Sequence, residues 1–215
     1  MKGRIRQGLW TVEFLSVTAI GILPASGVPL WWLAVPVVAL LAAKFGEYQV
    51  DARERRVALR QQLRLLLELL PHDRAGVRCT YHIPVRVPLR AQIMLQQVFD
   101  YLPSGGGGGR RFPTTRGIIG KTFETKAPRV ENFRDDAEYR RKMLNEYNYT
   151  ASELAQRTAD RRSYLCYPIL DENHAVLGLI YFDSDRCGLF TIEDTNSRWG
   201  MIRQAGDVLR AEVLR

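Results

Sequence analysis

The sequence predicts an α+β protein: an antiparallel sheet sandwiched by helices, preceded by an N-terminal helical hairpin in the membrane and a helical linker. Two runs rich in aromatic and β-branched residues, 163–170 and 176–182, flank a polar turn and predict a β-hairpin. The second run is apolar on both faces, as expected of a central strand with helices above and below it. The stretch between Glu13 and Lys44 contains no charged residue, which predicts membrane attachment.

Residues 1–46 are expected to form two transmembrane helices. One straight helix through the whole charge-free stretch would be about 45 Å long, whereas the hydrocarbon core is about 30 Å thick. Pro24 and Pro29 lie in the middle of the stretch, so we expect a short turn there between helices at 5–23 and 28–45. Basic residues flank both ends, and the positive-inside rule therefore places both ends in the cytoplasm, at the inner (plasma) membrane. A signal peptide, or a first segment that lies in the interface because of Glu13, remains an alternative.

Residues 47–70 contain neither proline nor glycine and predict one long helix. Leucines recur along it at spacings of four, three and four residues, which gives a heptad-like seam of Leu59, Leu63, Leu66 and Leu70. One interpretation is a parallel coiled coil that makes the chain a homodimer and connects the membrane to the domain. The other is an amphipathic helix that packs on the chain's own domain, which the further leucines at 65, 67 and 69 favour.

The domain itself is expected to span residues 71–215, because a proline and a glycine end the preceding helix. Residues 77–87 alternate apolar and polar side chains and predict a half-buried strand, and Pro84 indicates that this strand lies at a sheet edge or ends early. The other expected elements are a strand at 91–102, a flexible glycine-rich hairpin tip at 105–109, a helix at 117–126, a strand at 127–133, one or two helices over one face of the sheet at 134–161, and a closing helix at 198–214.

Four segments of this region resemble the GAF domain family. They are Ser-Tyr-Leu-Cys-Tyr-Pro-Ile-Leu-Asp from Ser163, followed by Val-Leu-Gly-Leu-Ile-Tyr-Phe-Asp and Leu-Phe-Thr-Ile-Glu-Asp, and upstream Gly-Ile-Ile-Gly-Lys-Thr-Phe-Glu-Thr-Lys-Ala-Pro-Arg-Val from Gly117. The resemblance covers residues 77–215. It implies a sensor domain with a ligand pocket between the sheet and the helices that follow the middle strand.

In cyclic-nucleotide-binding members of that family, an aromatic residue and an acid just after the middle strand read the base. The region that matches is 131–136, where Arg134 separates Phe133 from Asp135. The resemblance thus implies a nucleotide-like or other heteroaromatic ligand, with an aromatic ring to stack on, a carboxylate for an amine and an arginine for an anion. The expected ligand-binding residues are Phe133, Arg134, Asp135, Tyr147, Tyr149, Cys166 and Tyr181. The alternative is that Asp135 and Asp136 only cap a helix.

Neither catalytic chemistry nor a metal site is indicated by the motifs. Cys79, Cys166 and Cys187 are far apart in sequence and form no Cys-x-x-Cys pair, and the first two fall on predicted strands, where packed thiols are expected. Some GAF-like proteins reduce free methionine sulfoxide with paired cysteines, and Cys166 with Cys187 would be the pair here. The net charge of +8 does not indicate a nucleic-acid partner, because much of the excess flanks the apolar stretch.

The sequence therefore predicts a membrane-anchored cytoplasmic sensor, not an enzyme, which binds a small molecule or a partner and passes the signal through the helix at 47–70. No particular cofactor follows from the residues. An alternative of another class is a bacterial defence-type effector, whose membrane hairpin perturbs the bilayer when the domain is triggered. A methionine sulfoxide reductase is a third possibility, for which the cysteines would have to be paired and reactive.

Overall fold

The structure, a computed structural model, describes residues 34–69, 76–87, 92–155, 160–192 and 197–214. Its elements in chain order are α1 (Ala34–Leu69), β1 (Val77–Arg86), β2 (Ile93–Gln97), β3 (Arg111–Pro113), α2 (Gly117–Thr125), β4 (Arg129–Asn132), α3 (Asp136–Asn145), α4 (Ala151–Ala155), β5 (Ser163–Leu170), β6 (Val176–Ser184) and α5 (Ser197–Leu214). The chain divides into two compact units, and the boundary lies within α1, between Val57 and Ala58.

The six strands form one antiparallel sheet in the order β3-β2-β1-β6-β5-β4. The predicted hairpin is present as β5 and β6, with Leu165 opposite Phe182 and Tyr167 opposite Ile180. Its turn is fixed by Asp171, whose carboxylate accepts hydrogen bonds from the backbone N–H groups of Asn173 and Ala175. Strand β6 lies between β1 and β5, which confirms the central position predicted from its apolar faces.

Helices cover both faces of this sheet. On one face, alternate residues of β1, β5 and β6 share a core with the last turns of α1 and with α5: Cys79, Tyr81, Leu165, Ile180, Phe182, Leu59, Leu63, Ile202 and Leu209. On the other face, a second core is formed with α2, α3 and α4 by Leu95, Ile118, Phe133, Tyr139, Met143, Leu154, Tyr164, Cys166 and Leu179. This arrangement confirms the predicted α+β fold with a sheet sandwiched by helices.

The leucine stripe of α1 is buried in the chain's own core. Leu59, Leu63 and Leu66 are 5%, 0% and 3% exposed, while Leu65 on the flank is 46% exposed. Of the two interpretations of the stripe, the structure shows the one in which the helix packs on the chain's own domain. Leu70 lies outside the described residues. The second compact unit consequently starts at Ala58, inside the segment predicted as a linker.

The structure does not support the predicted membrane hairpin. The helix expected at 5–23 and the turn after it lie outside the described residues. The described part of the helix expected at 28–45 belongs to α1, which continues without a break through Gly46 into the segment predicted as a linker. Within the ranges that the structure describes, no helix combines the length and apolar character required to cross a membrane.

Pro84 does not mark an edge strand, which was the first of its two alternatives. Strand β1 lies in the interior of the sheet, paired with β2 on one side and β6 on the other. Pairing with β6 ends at His82, however, so that over the last residues of the strand β2 is the partner. Pro84, which has no N–H to donate, thus lies where the strand has lost one neighbour.

The glycine-rich segment connects β2 to β3, a short strand that the sequence did not predict. The segment is held by hydrogen bonds, since Gly109 N donates to Gln97 O at 2.8 Å and Gly108 N to the Asp100 carboxylate at 2.9 Å. Gly107 has a φ of +111°, and a Cβ there would lie 2.7 Å from the Gln97 side chain. The segment that composition predicts as a flexible tip therefore has its Gly107 fitted against the end of β2.

Candidate ligand-binding cavity

A cavity of about 540 Å³ lies between the sheet and the first turn of α2, the inner side of α3 and the glycine-rich segment. Its floor is the end of the sheet where β1, β2 and β6 present Arg78, His82, Gln97, Tyr181 and Asp183. Small-molecule sites in proteins occupy roughly 300–1,000 Å³ and bury most of their ligand. The cavity is large enough for a ligand of that kind.

The floor is polar although it is buried. The side chains of Thr80, His82, Gln97 and Asp183 are between 0% and 3% exposed. Thr80 Oγ1 and Gln97 Nε2 both donate to the carbonyl oxygen of Phe99, at 2.9 and 3.0 Å. Burying polar groups costs free energy unless each is paired. Their concentration on this face contrasts with the apolar core on the other face and marks the cavity as a candidate binding site.

Asp183 holds two arginines at the cavity. It accepts from Arg78 Nε and Nη2 at 2.9 and 3.0 Å, a bidentate pair, and Arg161 Nε lies 3.5 Å away. Burial raises the pKa of Asp183, while the two guanidinium groups oppose this rise. The Arg78 guanidinium also lies 4.5 Å from the centre of the Tyr101 ring. These contacts fix the positions of both guanidinium groups.

His82 is a neutral imidazole on the floor. Its side chain is 1% exposed, and its ring lies edge-on to the rings of Phe112 and Tyr181, at centroid distances of 5.7 and 5.8 Å. Burial lowers the pKa of His82 to about 3, so that at neutral pH the ring offers one donor and one acceptor. Within the described residues, its Nδ1 has no hydrogen-bond partner.

Tyrosine rings form the apolar part of the wall. Tyr139 and Tyr164 are stacked, with centroids 6.2 Å apart, and Tyr181 lies 6.3 Å from Tyr164 and 6.4 Å from Tyr101. Burial raises the pKa of the phenols of Tyr101, Tyr164 and Tyr181. Their hydroxyls are therefore protonated at neutral pH and can donate as well as accept hydrogen bonds.

The segment after α3 carries Tyr149 to the cavity. Tyr147 is 1% exposed, and its hydroxyl donates to the carboxylate of Glu131, which also accepts from Lys142 at 2.9 Å. Gly117 N donates to Tyr147 O at 2.9 Å and closes this segment onto α2. Gly117 has a φ of +71°, and a Cβ there would lie 2.9 Å from the Tyr149 hydroxyl. Glycine at the start of α2 thus makes room for the tyrosine.

Of the seven residues predicted to bind ligand, the structure brings Tyr149 and Tyr181 to the cavity. Phe133, Tyr147 and Cys166 are fully buried beside it, with Phe133 edge-on to Tyr139 at 5.2 Å. Arg134 and Asp135 are exposed. Asp135 is the N-cap of α3, where its carboxylate accepts from Glu138 N at 2.8 Å, which is the helix-capping alternative.

Sequence reasoning missed the floor residues Arg78, His82, Gln97 and Asp183, and also Arg110, which lines the cavity outside the floor. The alternation along β1 contained a signal, since Arg78 and His82 share one face of that strand. Polar residues on one face of a strand usually indicate solvent, so the pattern alone does not identify a covered cavity.

The cysteines do not line this cavity. Cys79 belongs to the core on the opposite face of the sheet, Cys166 is buried in the core beside the cavity, and Cys187 is exposed. Burial raises the pKa of Cys79, and that of Cys166 to about 12, so both buried thiols are protonated at neutral pH. No cluster of three His, Cys, Asp or Glu residues that could hold a metal ion occurs in the described part of the chain.

The chain is similar to known proteins in its fold and not in its sequence. No family model matches the sequence, and no curated protein sequence matches it. Among solved structures, the GAF domain region of a protein from Geobacter sulfurreducens is similar with a TM-score of 0.50 and 16% identity, over 78% of this chain and 96% of that one.

Two further solved structures are similar at lower TM-scores. The GAF domain of a two-component sensor histidine kinase from Bacillus halodurans has a TM-score of 0.47 and 15% identity, over 72% of this chain and 92% of that one. The type II free methionine-R-sulfoxide reductase from Thermoplasma acidophilum has a TM-score of 0.48 and 14% identity, over 74% and 94%. With its six-stranded antiparallel sheet between two helical layers, the chain has a GAF-like fold, as the resemblance predicted.

Proposed function

We propose that this protein is a sensor that binds a small molecule in the cavity of its GAF-like domain. The observation that carries the proposal is the cavity itself, which joins a volume of about 540 Å³ to a buried polar floor and a tyrosine-lined wall. Ligand pockets commonly combine an apolar lining with a few convergent polar groups in this way. A flat ligand stacked on a tyrosine would gain about 1–3 kcal/mol per ring, by analogy with nucleobase stacking.

A route by which occupancy of the cavity would be transmitted follows from the alternation of the strands. His82 and Asp183 face the cavity, whereas their neighbours Tyr81 and Phe182 belong to the core that contains Leu63 of α1. Strands are stiff along their length, and successive side chains point to opposite faces. A ligand that shifts β1 or β6 would therefore also shift the surface on which α1 packs.

Attachment to the membrane is the second part of the proposal. The charge-free stretch between Glu13 and Lys44, with basic residues beyond both ends, supports an anchor within residues 1–46 and a cytoplasmic domain. A reporter enzyme that is active only in the cytoplasm, fused at either terminus, is expected to be active in both positions. Activity of a periplasmic reporter at the C-terminus would contradict a cytoplasmic sensor.

Ligand binding is tested by mass spectrometry of small molecules released from the purified full-length protein on denaturation. Ile119 lies on α2 at the cavity wall, so Ile119→Trp should fill the space and abolish the released species. Leu144→Trp is the matched control, because Leu144 is 42% exposed on α3 and does not line the cavity. Release of the same compound by the wild type and by a folded Ile119→Trp variant would place its site elsewhere.

A further inference from the structure

We propose that the ligand is a small organic anion, a carboxylate or a phosphate ester, that also carries an N–H or O–H group. In this arrangement the anionic group binds Arg110 at the mouth of the cavity, and the N–H or O–H donates to the His82 imidazole on the floor. The inference rests on the proposed function and assigns the chemical class of its ligand.

The charges that line the cavity leave one guanidinium uncompensated. The three arginines Arg78, Arg110 and Arg161 stand against two carboxylates, Asp160 and Asp183. Asp183 pairs with Arg78 and approaches Arg161, and Asp160 lies 3.7 Å from Arg161 Nε. Arg110 has no ion pair within the described residues. The electrostatics of the cavity therefore favour a ligand with negative charge.

Arg110 is held in place by its backbone. Its N–H donates to Gly107 O at 3.1 Å, and its carbonyl oxygen accepts from Gln97 N at 2.8 Å, so the residue is tied to the end of β2. Its guanidinium lowers the pKa of the nearby Tyr101 phenol, an effect smaller than the rise that burial causes. Because Arg110 is exposed while His82, Gln97 and Asp183 of the floor are buried, its charge lies at the mouth of the cavity.

His82 supplies the second recognition element. Nδ1 of this 1% exposed imidazole has no hydrogen-bond partner in the described ranges, and buried polar atoms in folded proteins are nearly always paired. The charged groups on the same floor, Arg78 and Asp183, are bound to each other. A neutral imidazole accepts a hydrogen bond through its unprotonated nitrogen. A ligand N–H or O–H is the complementary group.

The wall between these two elements favours a flat ligand. Phe112 and Tyr181 meet the His82 ring edge-on, and the Tyr101 ring lies beside Tyr181. Aromatic surfaces bind planar groups by stacking or edge contacts. A planar heterocycle with an N–H on one side and an anionic substituent on the other satisfies all three features.

Matched probes test the inference on the full-length protein by ligand-observed NMR titration. Orotate has a planar ring, N–H groups and a carboxylate; uracil lacks the carboxylate, and 1,3-dimethylorotate lacks the N–H groups. Uridine monophosphate and uridine form the corresponding phosphate pair and distinguish a phosphate from a carboxylate. We expect orotate or uridine monophosphate to bind at least about tenfold more tightly than its neutral or methylated counterpart, as for a charge-assisted hydrogen bond.

Two variants assign the contacts. Arg110→Gln should weaken the anionic probe about tenfold and leave uracil or uridine unchanged. Arg111→Gln is the control, since it removes the same charge from the adjacent residue, which contacts Gln96 outside the cavity. His82→Phe should abolish the preference for orotate over 1,3-dimethylorotate. If His82→Phe does not fold, the wild-type comparison of those two compounds still decides the point.

The outcomes separate this inference from the proposed function. A neutral or cationic compound released from the purified protein, and lost in Ile119→Trp, would overturn the anion inference while the ligand-binding function stands. Equal binding of charged and neutral probes, equal effects of Arg110→Gln and Arg111→Gln, or no binding by any probe would also overturn it. If in addition no compound is released, the proposed function fails as well.

Discussion

Asp183 is the residue on which the arrangement of the cavity floor depends. It is 3% exposed and accepts two hydrogen bonds from Arg78, while Arg161 lies 3.5 Å away. Removing one partner of a buried ion pair leaves the other charge without compensation. The effect should therefore exceed the loss of one ordinary hydrogen bond.

Asp183→Asn is expected to lower the free energy of unfolding by about 3 kcal/mol, because Arg78 and Arg161 keep their charges and lose the buried carboxylate that compensates them. Asp185→Asn, two residues further and exposed, should change it by less than about 0.5 kcal/mol. Urea unfolding of both variants measures the difference. Equal values for the two would show that the Asp183 cluster adds nothing beyond a surface pair.

His82 makes stability depend on pH. Its pKa is lowered to about 3 in the folded state, against about 6.5 in the unfolded chain, so the unfolded chain binds the proton first on acidification. Stability from this residue is present above the unfolded pKa and is lost as pH falls below it, by about 2 kcal/mol between pH 7 and pH 5. Between pH 7 and pH 5, the free energy of unfolding of the His82→Phe variant should therefore fall by about 2 kcal/mol less than that of the wild type. If the stability of the two proteins fell in parallel, His82 would take up a proton as readily in the folded state as in the unfolded chain.

The residues of the site were only partly predictable from the sequence. Tyr181 was found because it lies in a segment that resembles the GAF family, and Tyr149 because it lies in the segment expected to cover one face of the sheet. Phe133 and Cys166, predicted in the same way from the resemblance, are buried in the core. Whether a side chain points into a cavity or into packed neighbours depends on the pairing of strands distant in sequence. His82 on β1 was missed for this reason, since the cover over its face comes from elements later in the chain.

Among the elements, α1 shows how a helix is recruited into the core by a leucine stripe. Leu59, Leu63, Leu66 and Leu67 are all buried, and the Cys79 thiol of β1 lies 4.0 Å from the carbonyl oxygen of Leu63. A spacing of three and four residues gives an apolar face that fits a sheet as well as a second helix. The sequence therefore left the two interpretations equal, while the β5–β6 hairpin, whose signals are local, was predicted correctly.

Leu63→Ala should lower the free energy of unfolding by about 3 kcal/mol, because a fully buried leucine is removed and a cavity remains. Leu65→Ala on the exposed flank should cost less than about 0.5 kcal/mol. Chemical unfolding at two protein concentrations provides the test. If the wild-type midpoint rose with protein concentration and the Leu63→Ala midpoint did not, the stripe would instead form a dimer seam.

At the scale of the whole molecule, the compact domain has a different boundary from the one that composition indicates. Pro71 and Gly76 mark the break in the sequence, yet the domain's core includes four leucines from before that break. Proline and glycine report where a helix ends, and a helix end need not be a domain end. The last turns of α1 are, by burial, a structural element of the GAF-like domain.

This difference predicts how truncated chains behave. A fragment of residues 47–215 should fold cooperatively, whereas a fragment of residues 71–215 should not. Each buried leucine stabilises the fold by about 2 kcal/mol, and the loss of four removes much of the roughly 5–15 kcal/mol that holds a domain together. Circular dichroism during thermal unfolding distinguishes the two fragments. A cooperative transition of 71–215 at the temperature of 47–215 would show that α1 is dispensable to the domain and that its leucines serve another contact.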